Sequence, residues 1–308
     1  MRKTTLIISL VALFLLCLAA RLALMQANRP EQALAEPLRI VSLAPSLTET
    51  LFAVGLGSRV VGVTEFCVYP PEVAALPKVA GFSQLNLEAL MRVRPDLVVM
   101  PFDKIWNRTQ IERLGIPVLA LEVRSLAGLK EGIKTLGALA ASPAKADALL
   151  AGIELAIAEA ARRSAGKARP GVLFSVMHAY QGLGQINEIS AIGRDGFYDE
   201  LITLAGGCNV YEGSLAYPRL SREAIIFLNP DVIIDVIPAH LDAATLAAVR
   251  REWFALTNVN AVKAGRVFVL NDEMHTVPGP RFIETLQVLS EAFHPGGEPE
   301  IGGEALHD

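Results

Sequence analysis

The sequence predicts an α/β protein of two lobes, each built on a mainly parallel sheet, joined by one long rigid helix. Three observations predict this class. Continuous apolar runs such as "DLVVM" (96–100) and "DVIID" (231–235) alternate with segments of helical period, the pattern of parallel strands covered on both faces. That alternation is written twice, before and after residues 142–166, and 308 residues suffice for two cores of ordinary size. The stretch between them, "SPAKADALLAGIELAIAEAARRSAGK", offers Ser142 as an N-cap and Pro143 at the first helical position. Gly152 is its one interruption before Gly166, so it reads as a single helix about 30 Å long rather than a flexible linker.

The first half opens with the strand "RIVSL" and the helix "SLTETLFAVGLG", for which Ser46 is the expected cap and Gly55 and Gly57 the stop. The strand "RVVGV" follows, then a loop fixed by Pro70-Pro71. A short helix "NLEALMRVR", the strand "DLVVM", the helix "KIWNRTQIERLG", the strand "PVLAL" and the helix "SLAGLKEGIKTLGALA" complete it. The second half runs strand "GVLFSV", helix "GRDGFYDELITLAGG", helix "SREAIIFL", strand "DVIID", helix "LDAATLAAVRREWFAL", strand "RVFVL" and helix "GPRFIETLQVLSEAFH". The lobes are therefore bounded at 38–141 and 168–294, with the joining helix at 142–166. The tail, 295–308, is rich in Gly, Pro and Glu without apolar period and reads as disordered.

One phrase recurs. "NLEALMRVRPDLVVM" (86–100) and "SREAIIFLNPDVIID" (221–235) share a polar cap, a glutamate two residues later, an aliphatic pair and Pro-Asp before an apolar run. Glu88 and Glu223 each stand seven positions before a proline, Pro95 and Pro230. A capping box needs its acid three residues after the cap, not two, so neither carboxylate is required to reach back to its own helix. Two equal acidic pegs on two similar lobes suit a two-fold partner presenting cations to each.

The formal charge is −4; residues 1–35 hold four Lys/Arg and one Glu, so the remainder carries −7, which excludes a phosphate backbone as the partner. At the N-terminus two early cations precede an apolar stretch, Leu6 to Ala20, the anatomy of an export signal. Read through to Ala27 it is also long enough for an anchor, and Cys17 raises lipidation, although Leu16 stands where lipoprotein signals have a small residue. Segment 1–35 is thus an export signal or anchor plus linker, and the protein belongs in the periplasm or on the outer face of the cytoplasmic membrane. Cys67 and Cys208 fall in different lobes and are read as unpaired thiols.

The ordered series "RIVSLAPSLTETLFAVGLG", "VGVTEFCVYPPE", "NLEALMRVRPDLVVM", "FYDELITLAGGCNVY", "YPRLSREAIIFLNPDVII" and "VPGPRFIETLQVLSEAFHP" resembles the periplasmic binding proteins that feed ABC importers for vitamin B12 and iron–siderophore complexes, from about Arg39 to His294. The resemblance implies two Rossmann-like lobes bridged by one helix and a ligand held between them. It implies no catalysis and no intrinsic cofactor; the cargo is a metal-containing chelate, a corrinoid first and a ferric siderophore next. It also implies a monomer that docks one Glu per lobe onto arginines of a homodimeric permease, and Glu88 and Glu223 match those positions.

Aromatic residues at equivalent points line the pocket of the B12-binding member, which marks Phe66, Phe82 and Tyr217 as cleft walls. Phe82 and Tyr217 each stand six residues before their glutamate. Phe102 and Trp106 from the first lobe and Tyr180 from the second extend that set, whereas Tyr69, before two prolines, reads as structural. His178, His275 and Glu65 are candidate contacts to a metal centre at the cleft edge, and Arg281 is read either as a partner for an anionic group or as a helix cap. The "TYP…GYMR" pattern of haem-binding relatives is not found. An exported α/β hydrolase is the competing class, but neither G-x-S-x-G nor H-E-x-x-H occurs, and a Cys67–His178 pair has no local signature. A ligand sensor of the same fold is the third.

Overall fold

The computed structural model describes residues 38–81, 84–140, 143–178, 186–194, 196–238 and 241–296; the expected export segment with Cys17, and the tail beyond Gly296, lie outside the described residues. The first lobe contains β1 (Ile40–Ser42), α1 (Pro45–Ala53), β2 (Val60–Thr64), β3 (Lys78–Ala80), α2 (Leu87–Arg92), β4 (Leu97–Pro101), α3 (Ile105–Arg113), β5 (Val118–Leu121) and α4 (Leu126–Leu139). Its five strands are all parallel, in the order β3-β2-β1-β4-β5. The chain steps outward from β1 to β3 and then crosses back to β4, which leaves a crevice at the carboxyl ends of the strands where the order reverses. Val41, Val98, Met100 and Ile111 fill the core on one side of this sheet.

Ser46 is not the cap of α1. Pro45 takes the first helical position, Ala44 precedes it, and Ser46 is buried within the helix. Proline's fixed φ and missing N–H start a helix without a side-chain cap. Strand β3 follows the expected loop, in a stretch to which the sequence assigns no element: three residues are too few to show a period, and pairing with β2 holds them.

Helix α5 (Pro143–Ser164) follows, 22 residues and so about 33 Å long. The second lobe contains β6 (Gly171–His178), β7 (Glu188–Ala191), α6 (Phe197–Leu204), β8 (Cys208–Asn209), β9 (Arg219–Ser221), α7 (Arg222–Leu228), β10 (Val232–Val236), α8 (Ala243–Phe254), α9 (Asn260–Lys263), β11 (Val267–Leu270) and α10 (Phe282–Phe293). Its sheet runs β11-β10-β6-β7-β9, parallel through β6 with β8 also parallel beside β6, and antiparallel across β7 and β9.

Helix α5 packs against α4 of the first lobe and α10 of the second. Two polar links add to it. Glu200 accepts from the Leu126 backbone N–H at 3.0 Å, and Arg281 forks onto Glu49 with Nε and Nη2 at 3.1 and 2.6 Å. Among the described residues no helix is long and apolar enough to cross a membrane. Cys67 and Cys208 are both free thiols, Cys67 buried against the hydroxyls of Thr48 and Thr64.

Candidate functional site

The two lobes enclose a cavity of about 370 Å³. Asp103, Val123 and Arg124 enter it from just beyond β4 and β5, at the carboxyl ends of the first sheet. The second lobe supplies the turn between β7 and α6 (Ile192, Gly193, Phe197, Tyr198), the segment before β9 (Ala216, Tyr217), and Thr276 with Pro278. Apolar surface dominates the lining, with Arg124 and Asp103 as its charged groups.

Local structure explains how Tyr217 comes to the wall. The Ala191 N–H donates to Pro218 O at 2.9 Å and the Gly193 N–H to Ala216 O at 2.8 Å, so residues 215–218 lie flat on the strand end. A side chain at 193 would collide with the Leu215 carbonyl, which is why glycine stands there. Tyr217 is thereby presented outward, 63% exposed. Tyr198 beside it is buried, and its hydroxyl has no hydrogen-bond partner among the described residues. Burial, followed by the fields of Tyr217 and Glu49, pushes that phenol well above its ordinary value, so it stays a neutral donor.

The expected cleft residues divide. Tyr217 lines the cavity; Phe102 stands at its edge, half-exposed, with the Arg124 guanidinium 5.3 Å from its ring centroid. Phe66 is an exposed ring and Glu65 an exposed carboxylate lying against Gly81, neither on the cavity wall. Phe82 and Tyr180 lie outside the described residues, as does the side chain of Trp106.

Both histidines turn away from the cleft. His178 sits in the second-lobe core with Nδ1 2.9 Å from Asp235 Oδ2 and Nε2 3.0 Å from Glu252 Oε2, so both ring nitrogens are taken. Burial alone would lower its pKa, but the hydrogen bond and charge of Asp235, and then those of Glu252, raise it. His275 is buried with Nδ1 2.9 Å from Thr285 Oγ1, and burial lowers its pKa. Among the described residues no group of three or more His, Cys, Asp or Glu side chains is placed to hold a metal ion. Arg281 holds the N-cap position of α10 without a side-chain capping hydrogen bond, and it is not on the cavity wall: its guanidinium spans the lobes to Glu49 and lies 3.8 Å from the centroid of the Tyr69 ring.

The repeated phrase proves to be a repeated structure. Asn86 and Ser221 accept from the N–H groups of Ala89 and Ala224, at 2.9 and 3.4 Å. Leu90 and Ile225, each two residues past the glutamate, are fully buried. Each helix closes on a left-handed residue, Arg94 (φ 45°) or Asn229 (φ 44°), before its proline. Asp96 and Asp231 then accept from the first N–H groups of the central strands, Arg39 at 2.8 Å and Gly171 at 2.9 Å. Cap, aliphatic anchor, turn and aspartate all have folding roles. The glutamates remain at the surface: Glu88, with 83% of its side chain exposed, pairs with Arg92 from the next turn, and Glu223 accepts from Ser221 Oγ at 2.8 Å.

Comparison with known proteins agrees with this architecture. The sequence pattern of the periplasmic binding protein family matches residues 40–274. An ABC transporter substrate-binding lipoprotein of Bacillus subtilis, itself uncharacterised, is 30% identical over 84% of this chain and 81% of its own. A cobalamin-binding protein of Halobacterium salinarum is 31% identical over 84% of this chain and 70% of its own. The crystal structure of a periplasmic heme-binding protein from Pseudomonas aeruginosa superposes with a TM-score of 0.73 at 28% identity, covering 86% of this chain and 95% of that one. With two α/β lobes, a cavity enclosed between them and this match over most of its length, the chain belongs to the periplasmic binding protein family.

Proposed function

We propose that this protein is an extracytoplasmic receptor that takes up a metal-containing chelate in its interlobe cleft and delivers it to a homodimeric ABC permease gripping Glu88 and Glu223. A corrinoid is the favoured cargo and a ferric siderophore the next. The observation that carries the reading is the pair of equivalent exposed glutamates left over when every folding role in the repeated segment is assigned, on a protein whose cavity draws on both lobes. The cavity needs no reacting group to do this work. A mainly apolar wall that includes Tyr217 can hold a flat ring by burial.

Corrinoid is placed first because the cobalamin-binding relative matches along most of this chain. Haem is a further reading, favoured by the likeness to the Pseudomonas structure. Titrating the purified protein with cobalamin, a ferric hydroxamate and haem, and following the absorption spectrum and tryptophan fluorescence, separates them. Saturable binding of cobalamin alone supports the first assignment, binding of the ferric hydroxamate alone transfers it to a siderophore, and binding of haem alone transfers it to haem. Failure of all three overturns the cargo class. For delivery, the Glu88→Ala/Glu223→Ala double variant is expected to lose uptake while keeping cargo affinity; normal uptake would remove the docking role.

A further inference from the structure

The two handles share a backbone but differ in chemistry. Residues four apart lie on one helix face. One turn beyond Glu88 stands Arg92, whose guanidinium closes on the carboxylate at 2.7 Å. One turn beyond Glu223 stands Phe227, 88% exposed, the barest large apolar side chain among the described residues. Ile226 beside it is exposed, as is its counterpart Met91 on the first-lobe helix, so the two handles differ at Arg92 and Phe227. The first-lobe handle therefore ends in a self-paired Glu–Arg tip and the second-lobe handle in a Glu–Phe tip. The hydrogen bonds from its own backbone N–H and from the Ser221 hydroxyl hold the Glu223 carboxyl below the usual carboxylate range, so it stays charged.

Resting on the docking role proposed above, we infer that the second-lobe handle is the principal anchor of the docked complex, Glu223 and Phe227 together clasping one basic side chain on the extracytoplasmic face of the permease. The carboxylate forms the ion pair, and the ring face receives the same cation while its edge covers apolar surface beside it. A lone exposed ring is ordinary on a protein surface. This ring stands one turn from an exposed carboxylate, on a seven-residue helix whose counterpart in the other lobe has an arginine in its place. A two-fold partner offers the same basic site twice. It therefore meets one clasp that carries a ring and one that must first release Arg92.

The test is a docking titration of cargo-loaded protein onto the permease that supports its uptake, reconstituted in lipid nanodiscs. Phe227→Ala is expected to weaken docking about ten-fold, the scale of a lost cation–π contact at a desolvated anchor. Phe227→Trp should keep it, and Arg92→Ala should leave docking unchanged or tighter. Phe254→Ala, an exposed ring on α8, is the control and should have no effect. If Phe227→Ala docks like the parent while Glu223→Ala fails, the clasp is refuted and the docking role stands. If neither Glu88→Ala nor Glu223→Ala changes docking, the docking role falls and this inference with it. Weaker docking by Arg92→Ala, or by the Phe254 control to the same degree as Phe227→Ala, also overturns the clasp.

Discussion

Replacing His178 by alanine tests whether this residue belongs to the core or to the cargo site. Its imidazole bridges Asp235 and Glu252, with side-chain exposures of 1%, 0% and 2%. The same Asp235 oxygen also takes the Trp253 Nε1–H at 2.7 Å. Removing the ring leaves two buried carboxylates facing the space it filled, and breaking a buried pair in this way costs about 3–5 kcal/mol. At roughly 2–4 °C per kcal/mol for a chain of this size, the melting temperature of His178→Ala should fall by on the order of 10 °C. The pH dependence follows from the raised folded pKa. His178 contributes its stability fully below its unfolded value of 6.5 and loses it as pH rises through the higher folded value. Thermal melts between pH 6 and 9 should show the parent weakening above 6.5 and the variant lacking that component. A variant that melts like the parent but binds its chelate poorly would put His178 at the cleft and refute this placement.

Other consequences follow from single contacts. Gly193→Ala should push residues 215–217 off the strand end and displace Tyr217, weakening cargo binding about ten-fold or more in the spectral titration, because the new methyl meets the Leu215 carbonyl. Arg281→Ala strands the buried Glu49 carboxylate, which burial already drives toward the protonated form against the pull of Arg281, and should cost about 3 kcal/mol in urea unfolding at pH 7. Because a raised carboxyl pKa favours folding at low pH, that deficit should shrink as pH falls toward 4.5. Arg94→Gly relieves a left-handed residue with a Cβ and should raise the urea midpoint by an amount corresponding to about 0.5–1 kcal/mol; a lower midpoint would refute strain at that turn.

The sequence reading reached the parallel strands and the joining helix because both rest on long local signals: continuous apolar runs in one case, twenty residues without a strong breaker in the other. It missed β7 and β9 because Glu188–Ala191 and Arg219–Ser221 are too short and too polar to announce themselves; they exist because each pairs with a neighbour. The same reason separates the readings of the site. The Glu88 and Glu223 pattern was visible because each repeat lies within fifteen residues. His178, by contrast, is expected at a cleft edge from its place after a strand, whereas the partners that hold it in the core stand 57 and 74 positions away. Tyr198 and Arg124 went unnoticed for want of any motif. Only "GRDGF", a glycine pair before a helix, hinted at a turn where backbones pass closely.

The links between the lobes differ in kind, and that difference bears on release. Helix α5 joins them through packed surface against α4 and α10, which resists bending over its whole length. The Glu49–Arg281 fork and the Leu126–Glu200 hydrogen bond are polar and can trade partners with water when the gap widens. On the docking proposed above, a pull on Glu88 and Glu223 would act on short helices pinned to the sheets by fully buried Leu90 and Ile225, so the force would pass into the lobes before it unwound the helices. The polar links would then yield before the packed spine does, because water can take the place of their partners only where the gap opens.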